Sequence, residues 1–355
     1  MSTSPFRQRF ASLVAIGAIA LGAVACGSDT SDTGTPSTSA GTDLAGTTIT
    51  VYSGRSEELV APLLEQFTAL TGIEVELRAG DSGELAAQIL TEGDASPADL
   101  FFSQDAGALG ALQAAGLLSE LPAELLDVVP TAYRSSNGSW VGTSGRARVL
   151  VVNPDLVADA PTTIDELLDP QWKGRIGFAP NNASWQSFVT GLRVIRGDEA
   201  ARTWLEAFAA NEPMAYEKNS AVRDAVDAGE VAIGLVNHYY LYEKIAADGA
   251  ENVTAVNQYL APGDPGGLVN VAGVGIPASS DQRDAALALV EFLLSEIGQT
   301  YFAERTFEYP LRAGISLAEG LPTLDELKPP AIDLSDLATL AETQQMLDDV
   351  GLLTR

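Results

Sequence analysis

Between residues 48 and 115 the chain alternates two kinds of hydrophobic spacing. Thr48-Ile-Thr-Val-Tyr52 is β-branched and alternating, which predicts a strand. Leu59, Val60, Leu63, Leu64, Phe67 and Leu70 then recur at helical spacing up to Thr71-Gly72. Pro62 lies inside that run and is expected to bend the helix or delay its start. Residues 73–77 predict a second strand, 83–92 a helix, 97–102 a third strand and 105–115 another helix. Such strand–helix alternation predicts a parallel sheet with helices on both faces.

Residues 140–152 hold two strand-like pieces around Gly142-Thr-Ser-Gly145, and Arg148-Val-Leu-Val-Val152 is long enough to leave one lobe and enter another. A short helix over 164–168 and a turn plus strand over 172–178 come next. After them come amphipathic helices over 184–196 and 198–210, a short strand over 213–216 and a helix to Ala228, capped by Asn219-Ser220. The apolar run 268–276 is a second crossing, 281–294 a helix, and the chain after Glu319 is acidic, helical and amphipathic. The expected fold is α/β, a two-lobed clamshell with two crossover strands as its hinge, closing on a ligand between the lobes. Residues 48–145 with 271–318 are assigned to the first lobe, and 146–270 with 319–355 to the second. There is no internal repeat.

One stretch organises the rest. Val231-Ala-Ile-Gly-Leu-Val236 predicts a buried strand, Asn237 ends it and can cap the next element, and Tyr239, Leu241, Tyr242, Ile245 and Ala246 suit a helix. Two adjacent tyrosines therefore sit where a strand gives way to a helix. Ligands of open α/β sheets collect there, and the helix dipole favours a phenolate. Packing of two aromatic rings is the alternative. The only histidine, His238, adjoins the pair, and the only cysteine is Cys26. A phenolate is a hard oxygen donor for a hard, highly charged metal ion, which can displace a phenolic proton of free pKa ~10. Because the tyrosines take that corner, His238 is expected to support the site rather than ligate.

The chain has 355 residues, enough for two domains. With 20 basic against 48 acidic residues the net charge is −28, which argues against a nucleic-acid partner. Residues 1–25 have a signal-peptide pattern: Arg7 and Arg9 precede an apolar segment from Leu13 to Ala25, too short for a comfortable membrane span. Ala23-Val-Ala-Cys26-Gly27 resembles a bacterial lipobox, which implies cleavage before Cys26 and a lipid on its sulfur. An ordinary secretory signal cut after Ala25 is the alternative. Residues 26–47, rich in Gly, Ser, Thr and Asp, read as a flexible tether. The expected place is outside the cell membrane, held to its outer face through Cys26.

From Thr48 to about Ala313 several motifs occur in order. They are Tyr52-Ser-Gly-Arg-Ser56, Ser96-Pro-Ala-Asp-Leu-Phe101, Ser144-Gly-Arg-Ala-Arg148, Trp172-Lys-Gly-Arg-Ile176, Glu217-Lys-Asn-Ser220, Asn237-His-Tyr-Tyr240 and Asp264-Pro-Gly-Gly-Leu-Val269. Through them the chain resembles the bacterial ferric-ion-binding proteins, the solute-binding components of iron(III) ABC transporters with the type II periplasmic-binding fold. The resemblance implies that Tyr239 and Tyr240 give phenolate ligands to ferric iron. It implies carbonate or phosphate as a synergistic anion, and delivery to a permease and its ATPase. It also implies a receptor rather than an enzyme, for which one anchored monomer suffices.

The chain departs from the family pattern at Ser56, where many members have a histidine. Gln104 stands where some have a ligand glutamate, and Ser184 stands near the position where some place a further tyrosine. Glu57, near a position that carries a ligand tyrosine in some members, can supply a carboxylate oxygen. Asn182, Asn219 and Asn237 match anion-contacting positions, and Ser184 and Ser220 also sit near helix starts that bind anions. Arg55, Arg146 and Arg148 can offer fork-shaped donors, with ion pairing as the alternative. For Ser56, Asn219 and Asn237 the alternative is a helix cap, and for Glu57 a solvated charge. Capture of an anionic small molecule such as a phosphorylated metabolite, without metal, is the competing function; it has no need of the tyrosine pair. A hydrolase is disfavoured by the single histidine and the lack of Gly-x-Ser-x-Gly or His-Glu-x-x-His.

Overall fold

A computed structural model of the chain describes residues 44–353. The signal segment 1–25, Cys26 and tether residues 27–43 lie outside the described residues. The strands are β1 (Thr48–Ser53), β2 (Glu74–Ala79), β3 (Leu100–Ser103), β4 (Trp140–Val152), β5 (Ile176–Phe178), β6 (Met214–Ala215), β7 (Ile233–Asn237), β8 (Val256–Gln258), β9 (Val269–Gly275) and β10 (Tyr309–Pro310). They join in the order β2-β1-β3-β9-β4-β7-β5-β6, with β8 and β10 paired to β4.

Parallel pairing holds at the two ends only. β1 is parallel to β2 and β3, and β5 to β6 and β7. At the centre, β9 is antiparallel to β3 and β4, and β4 is antiparallel to β7 and β8. The reason is topological: β4 carries the chain out of the first lobe and β9 brings it back, so the two meet head to tail. β4 is also one 13-residue strand rather than two pieces. Its ladder with β9 slips between Gly142 and Ser144, a bulge that keeps the strand continuous. Gly142 is needed there, because a Cβ would stand 2.6 Å from the Tyr133 carbonyl oxygen and 2.8 Å from Leu311 Cδ1.

Burial separates the lobes. Ile49, Phe101, Trp140, Val274 and Leu289 belong to one core; Ile176, Trp185, Phe208 and Ile233 belong to a second. Beyond β4's midpoint, successive side chains face opposite ways, so Leu150 joins the second core while Val151 joins a smaller cluster with Val222 and Val236. The aromatic residues of the second core pack ring to ring, Trp185 on Phe178 at 5.0 Å and Trp204 stacked on Phe208 at 5.1 Å. The C-terminal segment is shared. Leu321, Leu334 and Leu337 pack in the first core, and Met346, Leu347 and Leu352 in the second. The stretch up to Leu337 thus packs with the first core, and the chain from the last helix, Leu340–Asp349, onward packs with the second.

Several helices start on side-chain caps. Asp81, Asp105 and Asn182 accept from backbone N–H groups of the helices Ser82–Glu92, Ala106–Ala114 and Ala183–Arg196. The helix Glu57–Thr71 is not delayed by Pro62, which lies inside it. The carbonyl that loses its partner belongs to Glu58, an exposed residue that water can serve. The residues over 164–168 form a 3-10 turn, Asp165–Leu168. Three expected caps are absent: Ser56 precedes the helix Glu57–Thr71 but its side chain makes no capping hydrogen bond. Asn219 is the first residue of the helix Asn219–Asp227, and Asn237 closes β7 opposite Arg148. His238 precedes the helix Tyr239–Asp248 and makes no side-chain cap.

Candidate functional site

A cavity of about 470 Å³ lies between the lobes. The first lobe contributes Gly54, Ser56 and Gln104 to its wall; the second contributes Arg146, Asn182, Ser184, Asn237, Tyr239 and Tyr240. The turn after β1 can enter because Gly54 lies flush against the Ser82 side chain, where a Cβ would collide. Ser82 Oγ in turn accepts from the Gln104 backbone N–H at 2.8 Å, which fixes the end of β3 beside the same opening.

Arg55, Glu57, Asn219 and Ser220 fall outside this wall. Glu57 is exposed at a helix start and does not line the cavity, which matches the solvated-charge alternative. Its charge suits the positive end of the helix dipole instead. Asn219 is fully buried behind the wall. Its Nδ2 donates to Asn182 Oδ1 at 3.0 Å and to Ser184 Oγ at 2.8 Å, while its own Oδ1 is buried without a partner. This inward turn explains the missing cap: Asn219 orients the two residues that do reach the cavity.

β7 ends at Asn237 and the next helix starts at Tyr239, so both tyrosines face the opening. Their rings stack at 4.3 Å with 30° between planes. Tyr239 is 6% exposed. Burial, with the neighbouring Tyr240 adding to it, pushes its phenol well above the ordinary value, although Arg146 pulls the other way. Tyr239 is therefore a neutral phenol at neutral pH.

The three arginines divide. Arg55 makes the expected ion pair: its two Nη atoms each meet a Glu308 carboxylate oxygen at 3.0 Å, and Nη1 also donates to Gln104 Oε1 at 2.9 Å. Ser144 Oγ donates to the same carboxylate at 2.6 Å. Burial alone would raise Glu308, but Arg55 and Arg146 outweigh it and hold the carboxyl below the usual range. Arg146 and Arg148 form no ion pair among the described residues. Arg146 donates to the Gln104 carbonyl oxygen and leaves its Nε buried without a partner. Arg148 donates to Ser184 Oγ at 3.0 Å and lies over the Phe188 ring at 5.7 Å. Desolvation pushes it down to about 10, with Tyr240 and Tyr239 opposing.

His238 is structural. Its Nδ1 accepts from the Ala147 N–H at 3.2 Å and its Nε2 donates to the Phe307 carbonyl at 2.8 Å, partners that assign a neutral tautomer. Burial pushes it down to about 4. The ring thus fastens the tyrosine corner to Phe307, a non-glycine residue at φ +54°, beside Glu308.

Glu243 was missed by the sequence reasoning. It lines the cavity one helical turn beyond the tyrosines, half-buried, and burial pushes its carboxyl up to about 7. The signal that could have found it is spacing, i+4 from Tyr239 and i+3 from Tyr240. No group of three or more His, Cys, Asp or Glu suited to a metal exists among the described residues. The donors on offer are phenols and single carboxylates.

Residues 95–333 match the family model described as bacterial extracellular solute-binding protein. The chain is 34% identical over 308 residues to the Fe(3+)-binding periplasmic protein of Serratia marcescens, covering 86% of this chain and 90% of that one. Among solved structures it is similar to iron-bound HitA from Pseudomonas aeruginosa, with a TM-score of 0.80 and 35% identity over 86% of this chain and all of that one. It is also similar to Trichodesmium IdiA (FutA) in complex with iron and citrate, at TM-score 0.74 and 30% identity over 86% of this chain and 99% of that one. The two cores, the crossing strands and these likenesses confirm the two-lobed type II binding-protein fold, and the chain belongs to the bacterial extracellular solute-binding proteins, in the ferric-ion-binding family that its motifs resemble.

Proposed function

We propose that the chain is the extracytoplasmic receptor of an ABC importer, that it captures ferric iron between its lobes on Tyr239 and Tyr240, and that it delivers the iron to a permease and its ATPase. The observation that carries this reading is the stacked tyrosine pair at a helix start, facing the cavity. Each phenol releases its proton to solvent as its oxygen takes the metal, and a trivalent ion supplies the charge that makes this favourable in a buried place. The relatives named as iron-binding support the cargo assignment.

Two phenolates do not fill the coordination sphere of ferric iron. Carbonate or phosphate is the proposed companion, held by the free donors of Arg146 and Arg148 and by Asn182 and Ser184, with Asn219 orienting the last two. Asn237 lines the same cavity. Ser56 and Gln104, from the other lobe, meet the cargo when β4 and β9 flex and the lobes close. No bond of the cargo is made or broken; closure is the signal. Lipidation of Cys26 and a tether up to residue 43 would hold this receptor, as a monomer, at the outer face of the membrane; residues 44–47, expected in the tether, belong to the folded body instead, with Leu44 against the first core and the Gly46 N–H donating to the Gly72 carbonyl at 2.8 Å.

Iron–phenolate complexes absorb visible light by charge transfer. The purified protein given ferric iron with carbonate or phosphate is expected to colour, and Tyr239→Phe or Tyr240→Phe to bleach it. A colourless wild type that binds a phosphorylated metabolite tightly overturns the iron reading. Cys26→Ala is expected to release the protein from the membrane fraction, and its retention there overturns the anchor.

A further inference from the structure

Four acidic residues line the cavity: Asp81, Asp105, Glu217 and Glu243. Two are already engaged. Asp81 Oδ1 accepts from the Gly83 and Glu84 N–H groups at 2.8 and 3.3 Å, and Asp105 Oδ1 from Gly107 and Ala108 at the same distances. Glu217 is exposed, just outside the helix Asn219–Asp227. Glu243 is half-buried, and no hydrogen bond or ion pair with a described residue holds its carboxylate.

Its place on the helix is what matters. Residues three and four apart share one face of a helix, with Cβ atoms about 5–6 Å apart. Helical side chains also lean back over the turn that precedes them. Glu243 thus shares a helix face with Tyr239 and Tyr240, and all three side chains line the same cavity, with Arg223, Glu308 and Arg55 as the charges that act on its carboxylate.

We propose that Glu243 is a third protein ligand of the cargo, completing a three-oxygen set on one helix face. This rests on the two-tyrosine reading above. Two phenolates and one carboxylate carry three negative charges, which neutralise a trivalent ion and leave no net charge to bury. A divalent ion in the same set would leave an excess negative charge, so the set favours the ferric over the ferrous state. It also accounts for a wall in which Ser56 and Gln104 offer neutral groups: the carboxylate comes from the tyrosine helix rather than from the other lobe.

The test compares Glu243→Gln and Glu243→Asp with the wild type, each given ferric iron and carbonate. Glu243→Gln is expected to weaken ferric binding by about 10- to 100-fold, a loss seen even when only a supporting partner of a metal ligand is removed. Its charge-transfer band is expected to move to longer wavelength, because iron that loses a carboxylate donor accepts phenolate charge more readily. Glu243→Asp keeps the charge on a shorter arm and is expected to fall between the two. The melting temperature of the iron-free variants should match the wild type, since the carboxylate has no structural partner. A coloured wild type with a Glu243→Gln band and affinity indistinguishable from it overturns this proposal alone. A colourless wild type overturns the tyrosine reading as well, so the two failures are told apart.

Discussion

The two walls of the cavity are chemically unequal. The second lobe presents two phenols, a free carboxylate and two arginines without ion pairs. The first presents a hydroxyl at Ser56, an amide at Gln104 and two aspartates engaged as helix caps. Even Arg55 of the first lobe is drawn away from the opening by Glu308 and is 2% exposed. The difference implies an order of events. Cargo settles on the second lobe, which holds the phenols and the two arginines, and the first lobe closes over it with a hydroxyl at Ser56 and an amide at Gln104, its two aspartates being engaged as helix caps. A lobe that grips weakly can also let go, as delivery requires.

The largest effect expected is on stability, from the ion pair that keeps the first wall neutral. Glu308→Gln leaves the Arg55 charge buried and unmatched, and should cost about 3–5 kcal/mol, read by denaturant unfolding. The same carboxyl sets a pH dependence. Its folded value is lower than its ordinary one, so its contribution is complete above the ordinary carboxylate range and is lost as pH falls through the folded value. Acid unfolding should therefore be steeper in the wild type than in Glu308→Gln, and equal slopes would show that the pair does not titrate as described. Next comes the second wall: Tyr239→Phe or Tyr240→Phe should lower ferric affinity by on the order of 100-fold or more, with loss of colour. Arg148→Met removes a charged donor near Ser184, and should weaken binding of the companion anion by about 1.5–3 kcal/mol, measured by titrating carbonate or phosphate at fixed iron. The smallest change should come from Ser56→His, which offers a ligand on the neutral wall. It should raise ferric affinity by less than about tenfold and slow release. A larger gain would mean that the first lobe already governs capture.

Much of the fold was legible because its signals are local. The alternation in 48–52, the helical spacing from Leu59 to Leu70 and the apolar run before Asn237 each decide an element within one stretch of chain. The tyrosine corner was legible for the same reason, since a strand end and a helix start fall on neighbouring residues. Glu57 and Glu243 show the limit. Glu57 is next to Ser56 in the chain yet turns to solvent, while Glu243 joins the site through helix phase and through the lobe that faces it. The antiparallel centre was hidden too, because pairing between β4 and β9 depends on where a strand more than a hundred residues later returns.

By itself the sequence determined which segments become strands and helices and where two phenols stand side by side, because short-range hydrophobic spacing and chain adjacency suffice for both. Only the tertiary structure decided which charges are free. Arg55 is neutralised by Glu308, 253 positions along the chain, Asn219 is turned inward to Asn182 and Ser184, and Arg146, Arg148 and Glu243 have no ion-pair partner among the described residues at one opening. Electrostatic pairing acts through space and depends on burial, and neither quantity is written in the order of residues.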